Sequence, residues 1–66
     1  MFKRFSPERI IVRRKRMGKT QLRLSMETGI SQTSISAIEK GRKKPRIETL
    51  ARMASALECP MDSFFV

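Results

Sequence analysis

Apolar positions along this chain recur three and four residues apart, the spacing of helices that each bury one face. Ile10, Arg14 and Met17 share one face of a first segment, with Ile11 widening the stripe and Arg9, Arg13, Lys15 and Arg16 on the other faces. Ser6-Pro7-Glu8 supplies its start: a capping hydroxyl, a proline suited to the first helical position, and an acid at the positive end of the helix dipole. The helix is expected to run to about Met17 and stop before Gly18. A second, short helix, Gln21 to Thr28, is capped by Thr20 and ended by Gly29, which tolerates the left-handed conformation. Leu24 and Thr28 lie on one side of it beside the small Ser25, and Leu22 and Met26 lie on another. Ser31 caps a third helix, Gln32 to Lys40, ended by Gly41. A fourth, Arg46 to Leu57, carries Leu50, Met53, Ala54 and Leu57 on its apolar stripe, and Pro60 to Phe65 suggests a short fifth. The pattern predicts an all-α protein of five helices, with residues 1–66 forming a single domain.

The second and third helices are joined by a capped turn of only a few residues, so they must cross steeply. That arrangement is a helix-turn-helix, spanning about residues 20–41. The close crossing calls for a small residue, which Ser25 provides, and Ile30 and Ile35 fill the space beneath the turn. On the third helix Ile35, Ile38 and Glu39 face one way. Thr33, Ser36, Ala37 and Lys40 face the other, a surface with no large apolar group.

Charge sharpens this picture. Fifteen Lys and Arg against six Asp and Glu give a formal charge of +9 on 66 residues, and a positive field of that density attracts polyanions. A chain this short buries only roughly 60% of its unfolded surface, which disfavours a deep active-site cleft. Cys59 is the only cysteine and there is no histidine, so neither an internal disulfide nor a Cys/His metal site can be built. No metal, cofactor or paired catalytic carboxylates are expected, and an enzyme is disfavoured. The longest apolar run, Ile10-Ile11-Val12, is far short of the ~20 residues of a membrane span. No apolar signal-peptide core precedes it, and a cytoplasmic location fits.

The string Thr20-Gln21-x-x-Leu24-Ser25-x-x-x-Gly29-Ile30-Ser31-Gln32-x-x-Ile35-x-x-Ile38-Glu39-x-Gly41-x-x-x-Pro45 resembles the Cro/C1-type (XRE-like) phage repressor domain. Leu50, Ala54, Leu57 and Phe64 continue the likeness, which runs from about Ile10 to Phe65. The resemblance implies a five-helix lambda-repressor-like fold whose third helix reads the major groove of double-stranded DNA. Gln32 and Thr33, at the start of that helix, would meet base edges, and a glutamine amide can bond an adenine edge in a bidentate way. Ser36 and Ala37 follow one turn later, Ala37 being suited to a thymine methyl. For these side chains a merely solvated face is the competing reading. The resemblance also implies that Gln21 and its helix N-terminus bind phosphate. Ser31 is expected to join it, with Lys40, Arg42, Lys43, Lys44 and Arg46 supplying further phosphate contacts. Arg14 and Glu39 would form a structural ion pair between the first and third helices, and a homodimer would form around the last helix, through Phe65 or Val66, with Phe64 in the core.

The chain departs from the family pattern in places. Lys19 stands where an apolar residue is usual, its stem expected to cover the core while its charge reaches water. Ser25 replaces alanine and needs a hydroxyl partner, and Glu58 stands where a helix-ending glycine is common. Before the first helix, Phe2, Lys3, Arg4 and Phe5 read either as an aromatic staple or as a basic arm toward DNA. The leading functional reading is a sequence-specific transcriptional repressor acting as a homodimer on a palindromic operator. An antitoxin or accessory module with a protein partner, offering the apolar Leu22 and Met26, is the second, and a basic RNA-binding protein is the third.

Overall fold

A computed structural model describes residues 3–66. Among these residues there are four α-helices: α1 Pro7–Arg16, α2 Gln21–Thr28, α3 Gln32–Glu39 and α4 Ile47–Ala56. The expected fifth helix is instead a single 3-10 turn, Met61–Phe64. The reason lies on both sides of it. α4 has already closed through Glu58 before Pro60 begins the turn, and Phe65 has returned to extended backbone, φ −117° and ψ 145°.

That extended segment lies antiparallel to the one before α1. Arg4 N–H donates to Val66 O at 2.9 Å, Val66 N–H donates to Arg4 O at 2.8 Å, and Ser6 N–H donates to Phe64 O at 2.7 Å. Phe5 and Phe65 stand opposite each other, ring centroids 5.9 Å apart and edge to face. Phe5 is therefore a staple, as one of the two readings had it, but its partner is Phe65. Phe2 lies outside the described residues. Ser6 occupies the N-cap of α1 without a side-chain cap bond. Its backbone is committed to Phe64, and its carbonyl accepts from Arg9 N–H at 3.1 Å instead.

The core is built from the stripes read along the chain. Ile10, Leu24, Ile35, Ile38, Leu50, Met53, Ala54, Leu57 and Phe64 are buried together. Phe64 is fully buried and closes the base of the bundle against α1 and α4. Truncating a residue of this kind costs about 3–5 kcal/mol. Leu22 and Met26 stay exposed on α2, as does Ile47 on α4.

Three helices end in the same hydrogen-bond pattern, in which the chain doubles back on the last turn through a residue of positive φ. After α1 and α3 that residue is glycine. After α4 it is Glu58, at φ 54°, with Glu58 N–H bonding Ser55 O and Cys59 N–H bonding Ala54 O. The backbone there has glycine geometry imposed on a residue with a Cβ.

Candidate nucleic-acid interface

The turn between α2 and α3 is fixed by short polar side chains. Gly29 adopts φ 76°. Ser25 Oγ donates to Ile30 O at 2.6 Å, which supplies the partner its hydroxyl required. Thr28 Oγ1 donates to Leu24 O at 2.7 Å and accepts from Ile30 N–H at 3.2 Å. Each buried polar atom of the turn is thus satisfied, so the angle between the two helices is set by hydrogen bonds as well as by packing.

Both helices begin with side-chain caps. Thr20 Oγ1 accepts from Arg23 N–H at 3.0 Å, and Ser31 Oγ accepts from Ser34 N–H at 3.1 Å. The first N–H groups of each helix have no intrahelical partner and carry its positive end. Gln32 and Thr33 follow the second cap and are exposed, while Ser36 and Ala37 are half-buried one turn on. These four side chains share one open depression with Gln21, Lys40 and Arg42, and no carboxylate lines it. Gly41 N–H and Arg42 N–H close α3 on Ile38 O and Ala37 O, which sends the basic loop off alongside the depression. Lys40, Arg42, Lys43, Lys44 and Arg46 are all exposed. Lys43 Nζ is steadied by Ser34 Oγ at 3.2 Å, a contact of Ser34 that helical periodicity alone does not reveal.

On its other side α3 is held by an ion pair. Arg14 Nε donates to Glu39 Oε2 at 2.7 Å and Nη2 donates to Oε1 at 2.9 Å, a two-pronged contact between buried side chains. Arg14 Nη1 also donates to Lys19 O at 3.0 Å. Gln21 Nε2 donates to Glu39 Oε1 at 2.9 Å, so Glu39 links α1, the start of α2 and the end of α3. Burial pushes the Glu39 carboxyl up. Hydrogen bonds from Arg14 and Gln21, with the charges of Arg14 and Lys15, outweigh that and hold it below the usual carboxylate range. The same hydrogen bonding raises Arg14, with burial opposing. Gln21 therefore directs its amide nitrogen to Glu39 while its residue borders the depression along α3.

Two cations have roles the pattern did not predict. Lys19 Nζ does not extend into water: it donates to Ala56 O and to Glu27 Oε1, both at 2.7 Å. Arg13, assigned to an outer face, donates from Nε to Leu57 O at 2.9 Å and from Nη2 to Glu58 O at 3.1 Å. Both cover the carbonyl end of α4, whose last turn contains no basic residue of its own. That missing charge was the available signal, since four terminal carbonyls need donors from somewhere. Glu27 is lowered by its hydrogen bonds from Lys19 and Arg23. Of the residues expected at a dimer interface, Phe65 is half-buried against Phe5 and Val66 is exposed.

A short helix, a hydrogen-bonded turn and a second helix with a small-residue, carboxylate-free outer face define a helix-turn-helix domain. The chain belongs to the helix-turn-helix family HTH_3, whose model matches residues 10–64, and the Cro/C1-type expectation is met. It is 42% identical over 55 residues to the cryptic phage CTXphi transcriptional repressor RstR of Vibrio cholerae serotype O1, a match covering 83% of this chain and 49% of that protein. The chain thus spans about half the length of that curated relative. Among solved structures it is similar to the DNA-binding domain of the P22 c2 repressor in solution: 33% identity, TM-score 0.86, 97% of this chain and 84% of that one. It is also similar to the P22 c2 repressor in complex with a synthetic operator, with 33% identity, TM-score 0.84 and 92% of each chain covered.

Proposed function

We propose that this chain is a cytoplasmic, sequence-specific transcriptional repressor, residues 1–66 forming one DNA-binding unit that acts as a homodimer on a two-fold operator. The observation that carries the reading is the depression along α3, in which small polar side chains converge without a carboxylate beside a run of exposed cations. Gln32 and Thr33 reach base edges, Ser36 and Ala37 complete the reading face, and the small size of these side chains lets the helix approach the groove floor. Gln21 and Ser31 at the helix starts hold phosphates with Lys40, Arg42, Lys43, Lys44 and Arg46. The similarity to a repressor solved on its operator supports this docking. The exposed Val66 and the half-buried Phe65 are the proposed contacts between copies. Repression follows by occluding polymerase.

Selecting bound duplexes from a random pool tests the reading. It should return a two-fold site with half-sites about one helical turn apart. Gln32→Ala should then lose discrimination at one base position of each half-site by about 1–3 kcal/mol. Retained sequence preference in Gln32→Ala and Thr33→Ala at fixed salt would refute it. The exposed Leu22 and Met26 on α2 favour one second reading, an accessory module with a protein partner, which predicts that a partner co-purifies and is lost in Leu22→Ser/Met26→Ser.

A further inference from the structure

The basic loop after α3 borders two surfaces. Lys40 and Arg42 line the reading depression. Lys43 and Lys44 line a second depression on the other side of the loop, opposite Lys3 and Arg4, over a floor that includes Phe5 and Phe65. Lys3, Arg4 and Lys44 bring three charges to it, Lys43 lines its edge with Nζ bonded to Ser34 Oγ, and no carboxylate lines the space. Among the described residues the salt bridges involve Arg14, Lys19 and Arg23, so none of these cations is in one. Like charges gathered around one depression repel each other, and an anion bound between them removes that repulsion.

Lys3 and Arg4 are not held there by the loop. Their position comes from segment 64–66: the reciprocal bonds between Arg4 and Val66, and the Phe5–Phe65 ring contact. Two paired residues on a short ribbon are marginal by themselves. Phe64 anchors this one, being fully buried in the core next to the paired residues.

Resting on the DNA reading above, we infer that the second depression is an additional binding site for a backbone phosphodiester. Phe65 and Val66 are positioning residues that hold Lys3 and Arg4 in it. A DNA strand crossing the loop meets Lys40 and Arg42 on one side and this cationic cleft on the other. Phosphate contacts carry no sequence information, so the cleft sets affinity and leaves specificity alone.

The test is the salt dependence of affinity for a selected duplex, measured by fluorescence anisotropy with the full chain. Lys3→Ala/Arg4→Ala should reduce the slope of log K against log salt by up to about 0.9 for each copy bound, the contribution of one phosphate contact. The preference for the selected site over a mutated half-site should not change. Val66→Pro removes the N–H that bonds Arg4 O without removing a charge or a buried side chain; because Val66 and Phe65 are also the proposed contacts between copies, the slope is compared with wild type at the same oligomeric state, checked by sedimentation, and should fall in the same direction. Phe65→Leu, checked for helical content, should do likewise. An unchanged slope in Lys3→Ala/Arg4→Ala, with wild type binding normally, overturns the cleft and leaves the repressor reading standing. A slope that falls with Lys3→Ala/Arg4→Ala but not with Val66→Pro or Phe65→Leu overturns the positioning role. A wild type that binds no duplex overturns both the reading and the cleft.

Discussion

Replacing Glu39 by alanine is the perturbation that most directly probes how α3 is held. The carboxylate accepts three hydrogen bonds, two from Arg14 and one from Gln21, and its side chain is only 4% exposed. Removing it leaves a buried guanidinium with a single remaining acceptor, Lys19 O. Breaking one partner of such a pair costs about 3–5 kcal/mol. At roughly 0.05–0.15 kcal/mol per residue, a chain of this length has a total stability of about 3–10 kcal/mol. Urea denaturation followed by helical circular dichroism should therefore find Glu39→Ala stripped of at least about a third of its stability, and unfolded if the total lies at the lower end of that range. The control is Arg14→Met/Glu39→Met, which removes both charges together. Exchanging a whole buried pair for apolar side chains is often neutral or stabilising, so the double variant should recover most of the loss. A single variant costing less than about 1 kcal/mol, within the range of an exposed pair, would refute the reasoning, and so would a double variant no more stable than Glu39→Ala. Acid provides an independent reading of the same contact. Because the folded-state carboxyl lies below its ordinary value of 4.5, its stabilisation is complete above that pH and is lost as pH falls through the lower folded value. Stability should hold from neutrality to about that ordinary value and then decline, with a shallower decline in Glu39→Gln.

Glu58→Gly should raise stability by about 1 kcal/mol, because an L-residue in the left-handed region is strained by roughly 1–2 kcal/mol; thermal melts should rise by about 4–8 °C for a domain of this size. Lys19→Met keeps the stem but strips a charged donor from Ala56 O and Glu27, and should cost about 1.5–3 kcal/mol in denaturant titrations at low salt.

The helices were legible because their signals are local. Ser-Pro-Glu before α1, Thr20 and Ser31 before α2 and α3, and glycine after three helices are read from adjacent residues, and the apolar stripes give the buried face of each helix directly. Glu58 was legible through the family resemblance, which expects a helix-ending glycine there, and the structure supplies the positive φ. What was not legible depends on contacts between distant parts of the chain. Lys19 reaches Ala56, Arg13 reaches Leu57, and segment 4–6 pairs with segment 64–66, and no periodicity encodes such distances. The short end from Pro60 to Phe65 was read as a fifth helix from its local composition. Phe64 was expected in the core and is buried there; only the pairing shows that Phe65 turns to an extended backbone beside Phe5.

This difference between local and distant signals bears on how the proposed interface is built. The outer face of α3 is composed of residues with little packing role, and Gln32 and Thr33 are exposed, so they can change without a large effect on stability. Its inner face cannot. Ile35 and Ile38 are fully buried, and Glu39 ties α3 both to Arg14 and to Gln21 at the start of α2. A substitution at Glu39 therefore disturbs the fold and the orientation of a proposed phosphate contact together, whereas one at Gln32 acts on recognition alone. The separation can be measured: ranked by thermal stability, variants of Gln32, Thr33 and Ser36 should cluster near wild type, and those of Arg14, Gln21 and Glu39 should not. Gln21→Ala is the informative member of the second group. It leaves Glu39 paired with Arg14, so it should cost no more than a single hydrogen bond to a charged group, about 1.5–3 kcal/mol, while weakening duplex binding similarly across all sequences. A Gln21→Ala protein that instead changed base preference would mean that the residue reads sequence, and the division between the two faces of α3 would have to be redrawn.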